Sequence, residues 1–103
     1  MNEKTRIEQQ LIAEIKEYAR GRALAVARGA EAQHLAAFAL HEHGSGIAQA
    51  VAIIYGSPRE ADAITRVVQE ETERIDPDWR ENARLRWQSR PADIVDVALV
   101  AQG

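Results

Sequence analysis

The run Ile47-Ala48-Gln49-Ala50-Val51-Ala52-Ile53-Ile54-Tyr55 is apolar but for one glutamine, and it ends in Gly56-Ser57-Pro58-Arg59-Glu60. Glycine closes helices because it reaches left-handed backbone angles without strain. Ser57 followed by Pro58 and then Glu60 has the form of a capping box with proline at the first helical position. A short apolar segment pinned in this way is most simply a helix surrounded by other helices. It sets the fold class and leaves the chemistry open.

The rest of the chain divides around that segment. Apolar residues at Ile7, Leu11, Ile15 and Tyr18 form a helical stripe. Leu11, Tyr18, Ala25, Ala32 and Ala39 then repeat every seven residues. A phase held through Gly21 and Gly29 suits one long helix to about His43, bent at Gly29. Two interior glycines, at roughly 1 kcal/mol each, speak for two helices instead. Gly44-Ser45-Gly46 has the composition of a turn. Beyond Pro58, Ala61, Ile64, Val67, Val68 and Ile75 share an inward face. Asp76-Pro77-Asp78 repeats the start signal, with aspartate as N-cap, ahead of a helix carrying Trp79, Ala83 and Trp87. Pro91 marks the last boundary, before an apolar tail from Ile94 to Val100 that lacks any strand to pair with. The expectation is an all-α chain, a compact bundle of five or six helices with a long alanine-rich N-terminal helix, forming one domain over residues 1–103.

With 103 residues, 46% of them hydrophobic and 28% charged, the chain suits a single modest core. Alanine-rich helices approach closely but bury little area, which favours a homo-oligomer, a dimer first. Cysteine is absent, which excludes disulfides, thiol nucleophiles and Cys-ligated zinc. Asn2-Glu3-Lys4-Thr5-Arg6 is unlike a leader peptide, and His41-Glu42-His43 interrupts the longest apolar region. A cytoplasmic protein with no membrane partner is expected.

The net charge of −3 argues against generic nucleic-acid binding and is unevenly spread. Residues 60–78 set seven carboxylates against two arginines, a balance of −5. Residues 79–90 set four arginines against one glutamate, a balance of +3. That second segment holds Trp79, Arg80, Arg84, Arg86, Trp87 and Arg90. Tryptophan and arginine are the side chains most enriched in binding hot spots, so these six are the candidate partner-binding residues. The plainer account makes the tryptophans core anchors and pairs the arginines with the acidic helix before them. Glu70, Glu71 and Glu73 are a second candidate patch.

Two further constellations carry weaker signals. Glu31, His34 and His41 fall on one stripe if residues 31–41 are helical, and Glu-x-x-His occurs in carboxylate-bridged metal sites. Such sites need a second carboxylate–histidine set, and a histidine in a last helical turn also serves the helix dipole. No cofactor is therefore expected. Residues 48–68 resemble a helix-turn-helix through Ala52 and Gly56, but the apolar positions expected in its second helix fall on Asp62 and Thr65. Glu60, Glu70 and Glu71 there would repel phosphates.

Catalysis finds little footing. The only serines are Ser45, Ser57 and Ser89, and Gly44-Ser45-Gly46 lacks the length and lysine of a phosphate loop. The sequence thus suggests a non-enzymatic interaction protein, an adaptor, inhibitor or assembly factor of the size and composition common in phages and mobile elements. A DNA-binding regulator and a metal-binding bundle are the alternatives.

Overall fold

Asn2 starts the first helix by accepting a hydrogen bond from the Thr5 backbone N–H at 2.8 Å. In the computed structural model, which describes residues 2–85, this helix, α1, runs over Glu3–Ala27. It continues through Gly21 and stops at Gly29, whose φ is 74°. The Ala30 N–H bonds the Ala25 carbonyl at 2.9 Å and the Gly29 N–H bonds that of Val26 at 3.0 Å. This crossed pair is a Schellman motif. The heptad phase across Gly29 therefore belongs to two antiparallel helices, not to one helix reaching His43.

The second helix, α2, spans Gln33–Tyr55 and includes Gly44-Ser45-Gly46 without a break. The expected turn is absent because Gly44 has a packing role. It is buried against Val68 of the third helix, α3 (Asp62–Ile75). Glycine there lets the two backbones approach closely.

The stop at Gly56 and the cap at Ser57 follow the sequence signals, whereas the reciprocal bonds of a capping box are replaced by a bond to the Arg59 N–H and by an ion pair of Glu60. Gly56 adopts φ 81°, and the Ser57 hydroxyl accepts from the Arg59 N–H at 3.3 Å. Pro58–Ala61 form a 3-10 turn before α3, so the α-helix begins four residues later than Pro58. Glu60 pairs with Lys4 of α1. Asp76 caps the next segment as expected, accepting from the Asp78 N–H at 3.0 Å, and residues 79–85 are helical. Among the described residues four helices are complete, three α and one 3-10, which does not match the expected five or six. No strand occurs among them.

The helices run up, down and up. Lys4 at the start of α1 lies over the Tyr55 ring at the end of α2, and the Gln33 side-chain amide donates to the Ile75 carbonyl at 2.7 Å. The core joins Ile15 and Ala19 of α1, Leu40, Ala48 and Val51 of α2, Ala61, and Ile64 and Val68 of α3. Leu11, Tyr18, Val67 and Ile75 flank it half-buried, so the inward faces assigned to α1 and α3 are observed. The apolar segment of α2 behaves differently. Ala48 and Val51 are buried, but Ile53 and Ile54 remain 80% and 72% exposed. This helix is not surrounded: the bundle covers one face and leaves the other to solvent.

Candidate interaction surfaces

Asp76 positions the tryptophan–arginine segment. Only 5% exposed, it accepts a second hydrogen bond from the Asn82 amide at 2.9 Å, and its carbonyl accepts from the Trp79 N–H at 3.0 Å. Pro77 follows it and fixes the backbone at the first helical position. These contacts set Trp79 against α2, where its ring meets that of His41 at 4.4 Å between centroids, tilted by 34°. Arg80 places its guanidinium 5.4 Å from the Trp79 ring centre, and its Nε lies 3.6 Å from Glu73. Trp79 is half-buried, and its indole N–H has no acceptor among the described residues.

A cleft of about 210 Å³ opens beside this cluster. His41, Ser45, Thr65, Gln69 and Arg80 contribute polar groups to it, over Ala48 and Val68. Burial of the His41 imidazole disfavours its charged form and lowers its pKa below the usual 6.5. The carboxylate of Glu42 pulls the other way, and the guanidinium of Arg80 adds to the lowering.

The remaining candidates are dispersed. Arg84 grips Glu81 at 2.5 Å and 3.2 Å. That hydrogen bond first, and the positive charge second, holds the Glu81 carboxyl below its ordinary range. Glu70 is exposed, whereas Glu71 is 8% exposed and pairs with Arg74 at 3.0 Å. Glu71 faces a groove of about 510 Å³ between α1 and α3, and Glu73 contacts Arg80 on another side. Glu71 thus faces away from Glu70 and Glu73, which lie three residues apart on the helix, so the three glutamates do not form one patch. The pairing of Arg80 with Glu73 is what the plainer reading of the charge pattern expects. Arg86, Trp87, Arg90 and the apolar tail lie outside the described residues.

The metal candidates are not brought together. Glu31 lies in the connection before α2, not on the helix, and binds Arg22 at 2.7 Å. His34 is exposed, and His41 packs its ring, tilted, against Trp79. No group of three His, Asp or Glu able to hold a metal occurs among the described residues. Along α3, Asp62, Arg66 and Glu70 are exposed at four-residue spacing, two carboxylates to one arginine on a supposed recognition helix. No helix among the described residues is long and apolar enough to cross a membrane.

Two features escaped the sequence reading. Tyr18 stacks on His43 with ring centroids 4.0 Å apart and 9° between planes, while Arg22 lies 5.6 Å over the same tyrosine. Ile53 and Ile54 form an exposed apolar strip at the end of α2. The strip had a sequence signal: the run from Ile47 to Tyr55 is apolar on every side, whereas a helix on the edge of a bundle buries only one. No protein family, curated protein or solved structure matches this chain.

Proposed function

We propose that this chain is a non-enzymatic interaction protein, a small helical adaptor, inhibitor or assembly factor that works as a cytoplasmic homo-oligomer and binds a protein partner. The observation that carries this reading is Trp79. Its indole is held half-exposed by the imidazole of His41 and the guanidinium of Arg80, at the edge of a cleft with five polar side chains. An aromatic anchor fixed before binding loses little side-chain entropy on docking, and tryptophan and arginine give the largest losses when truncated in interfaces. Arg80 lies over the anchor, Arg84 follows it in the chain, paired with Glu81, and Arg86, Trp87 and Arg90 come next in the sequence. Glu73 belongs to this surface through Arg80, with Glu70 three residues before it on the helix, while Glu71 provides an acidic group on another side of α3.

Affinity capture from the native cell, with the tagged chain and its Arg84→Glu/Arg86→Glu variant, tests the reading. The wild-type chain retains one specific protein, and the variant retains at least tenfold less while melting at the same temperature. Undiminished capture by a folded variant removes this segment as the binding surface.

A further inference from the structure

The groove between α1 and α3 opens at the end of the bundle where both helices stop, since Ala27 and Ile75 line it. Its floor is apolar and short of bulk, with Ala19, Ala23 and Val26 beside Ile75. A volume of about 510 Å³ is room for several side chains. Its rim is cationic, with the exposed Lys16 and Arg20 on α1 and the exposed Arg74 on α3. Against these three stands the Glu71 carboxylate, a balance of 3 − 1 = +2. Arg74 meets Glu71 at 3.0 Å, and Arg20 meets Glu17 of its own helix at 2.9 Å. Exposed pairs of this kind are weak, so a new carboxylate displaces them at little cost. Lys16 has no ion pair among the described residues.

We propose that this groove takes the chain's own apolar tail, Ile94 to Ala101, with the carboxylates of Asp93 and Asp96 at the cationic rim. Residues 91–103 hold those two aspartates and no lysine or arginine, a side-chain charge of −2 against the +2 of the groove. The length of chain suffices. Residues 79–85 are helical and Asn82 is bonded to Asp76, so Leu85 lies within about 20 Å of Ile75. The eight residues 86–93 reach up to about 26 Å at roughly 3.3 Å each. Pro91 cannot continue a helix, which gives this tether a place to turn. A segment on so short a tether is presented at an effective concentration on the order of 1 mM, which favours it over an unlinked peptide of the same chemistry. The exposed isoleucines of α2 are a poorer seat. Gln33 bonds Ile75, and Ile53 lies twenty residues further along α2, about 30 Å away. Residues 45–54 also carry no cation to meet the aspartates.

The chain contains no cysteine, so introduced pairs report this contact directly. Ala23 is exposed, and its replacement spares the core. In the full chain, Ala23→Cys is combined in turn with Val97→Cys, Ala98→Cys and Ala101→Cys. Under mild oxidation at least one pair is expected to close within a single chain, at a rate independent of protein concentration. Gly21→Cys lies about 160° around α1 from Ala23 and has no neighbour within 4 Å, and it is expected to close with none of the three. Amide exchange at residues 94–100 is expected to quicken at least tenfold in Asp93→Lys/Asp96→Lys and to slow again when Lys16→Glu/Arg20→Glu is added. Failure of every Ala23 pair, or equal closure by Gly21→Cys, overturns the proposal. Disulfides that form only between chains, faster at higher concentration, overturn it as well and give the groove to the tail of a second copy. Exchange indifferent to both charge reversals removes the aspartate contacts. None of these results touches the Trp79 surface, which is decided by its own capture experiment.

Discussion

Gly44 of α2 faces Val68 of α3 so closely that a Cβ on Gly44 would lie 2.8 Å from Val68 Cγ1 and 3.1 Å from its Cβ. Both helices lie within one core, so neither side chain nor backbone can retreat without disturbing Leu40, Ala48 and Ile64. The distance between α2 and α3, and with it the width of the cleft beside Trp79, is set by this missing methyl group.

Gly44→Ala and Gly46→Ala are two residues apart and are expected to act in opposite directions. Each gains about 1 kcal/mol of helix propensity. At Gly44 overpacking against Val68 costs about 1–3 kcal/mol, for a net loss of about 1 kcal/mol. At Gly46 nothing lies within 4 Å, so the gain survives. Urea titrations at concentrations low enough to keep the chain monomeric measure both; a stabilised Gly44→Ala would mean that α3 yields easily.

Asp76→Ala removes the acceptor for both the Asp78 N–H and the Asn82 amide in a buried setting. Loss of an N-cap costs about 1–2 kcal/mol. The effect concentrates on residues 79–85, so amide exchange there is expected to accelerate more than exchange within α1. Asp76→Asn, which keeps one cap acceptor, falls between the two. Equal exchange in Asp76→Ala and the parent chain would show that packing of Trp79, not the cap, holds this segment.

Which parts of this arrangement were legible beforehand follows from how local their causes are. The stop at Gly56, the caps at Ser57 and Asp76, and the inward face of α3 depend on neighbours a few residues away, and each is found where the sequence puts it. Gly29 and Gly44 carry the same residue type with opposite consequences, one ending a helix and one admitting a neighbour. That difference depends on Val68, a residue distant in sequence. Glu31 and His34 share a helical stripe only if residues 31–41 are all helical, and α2 begins at Gln33, two residues too late. The composition of Ile47–Tyr55 reports that a helix is apolar, not how many neighbours it has, so the exposure of Ile53 and Ile54 is not written in the segment itself. Trp79 and Arg80 were legible as residue types; their contacts with His41 and Glu73 follow from how residues 79–85 dock on α2.

Thr72 is fully buried, and its hydroxyl has no hydrogen-bond partner among the described residues. A buried polar group left unpaired costs about 1–3 kcal/mol, and an apolar group of the same shape relieves it. Valine has that shape and a similar helix propensity. Thr72→Val is therefore expected to stabilise the fold by about 1 kcal/mol in urea titration. Destabilisation would show that the hydroxyl is hydrogen-bonded in solution.

His41 makes the surface around Trp79 sensitive to acid. Its pKa in the folded chain is lowered, by burial first and by Arg80, with Glu42 opposing. The unfolded chain, with a histidine near 6.5, then takes up protons before the folded chain does as the pH falls. Wherever the unfolded state binds more protons, stability falls with falling pH. The His41 contribution is thus fully present above pH 6.5, declines as the pH drops through 6.5 toward the lowered folded value, and levels off below it. His41→Gln keeps a polar side chain of similar reach and removes the titration. Melts at pH 7.5, 6.5 and 5.5 are expected to show a shallower decline for this variant than for the parent chain. Tryptophan fluorescence in the same series distinguishes a local effect, because protonation beside Trp79 changes its emission before the helices melt. Parallel pH profiles for the two chains would show that the imidazole keeps its solution pKa and that the contact with Trp79 leaves it hydrated.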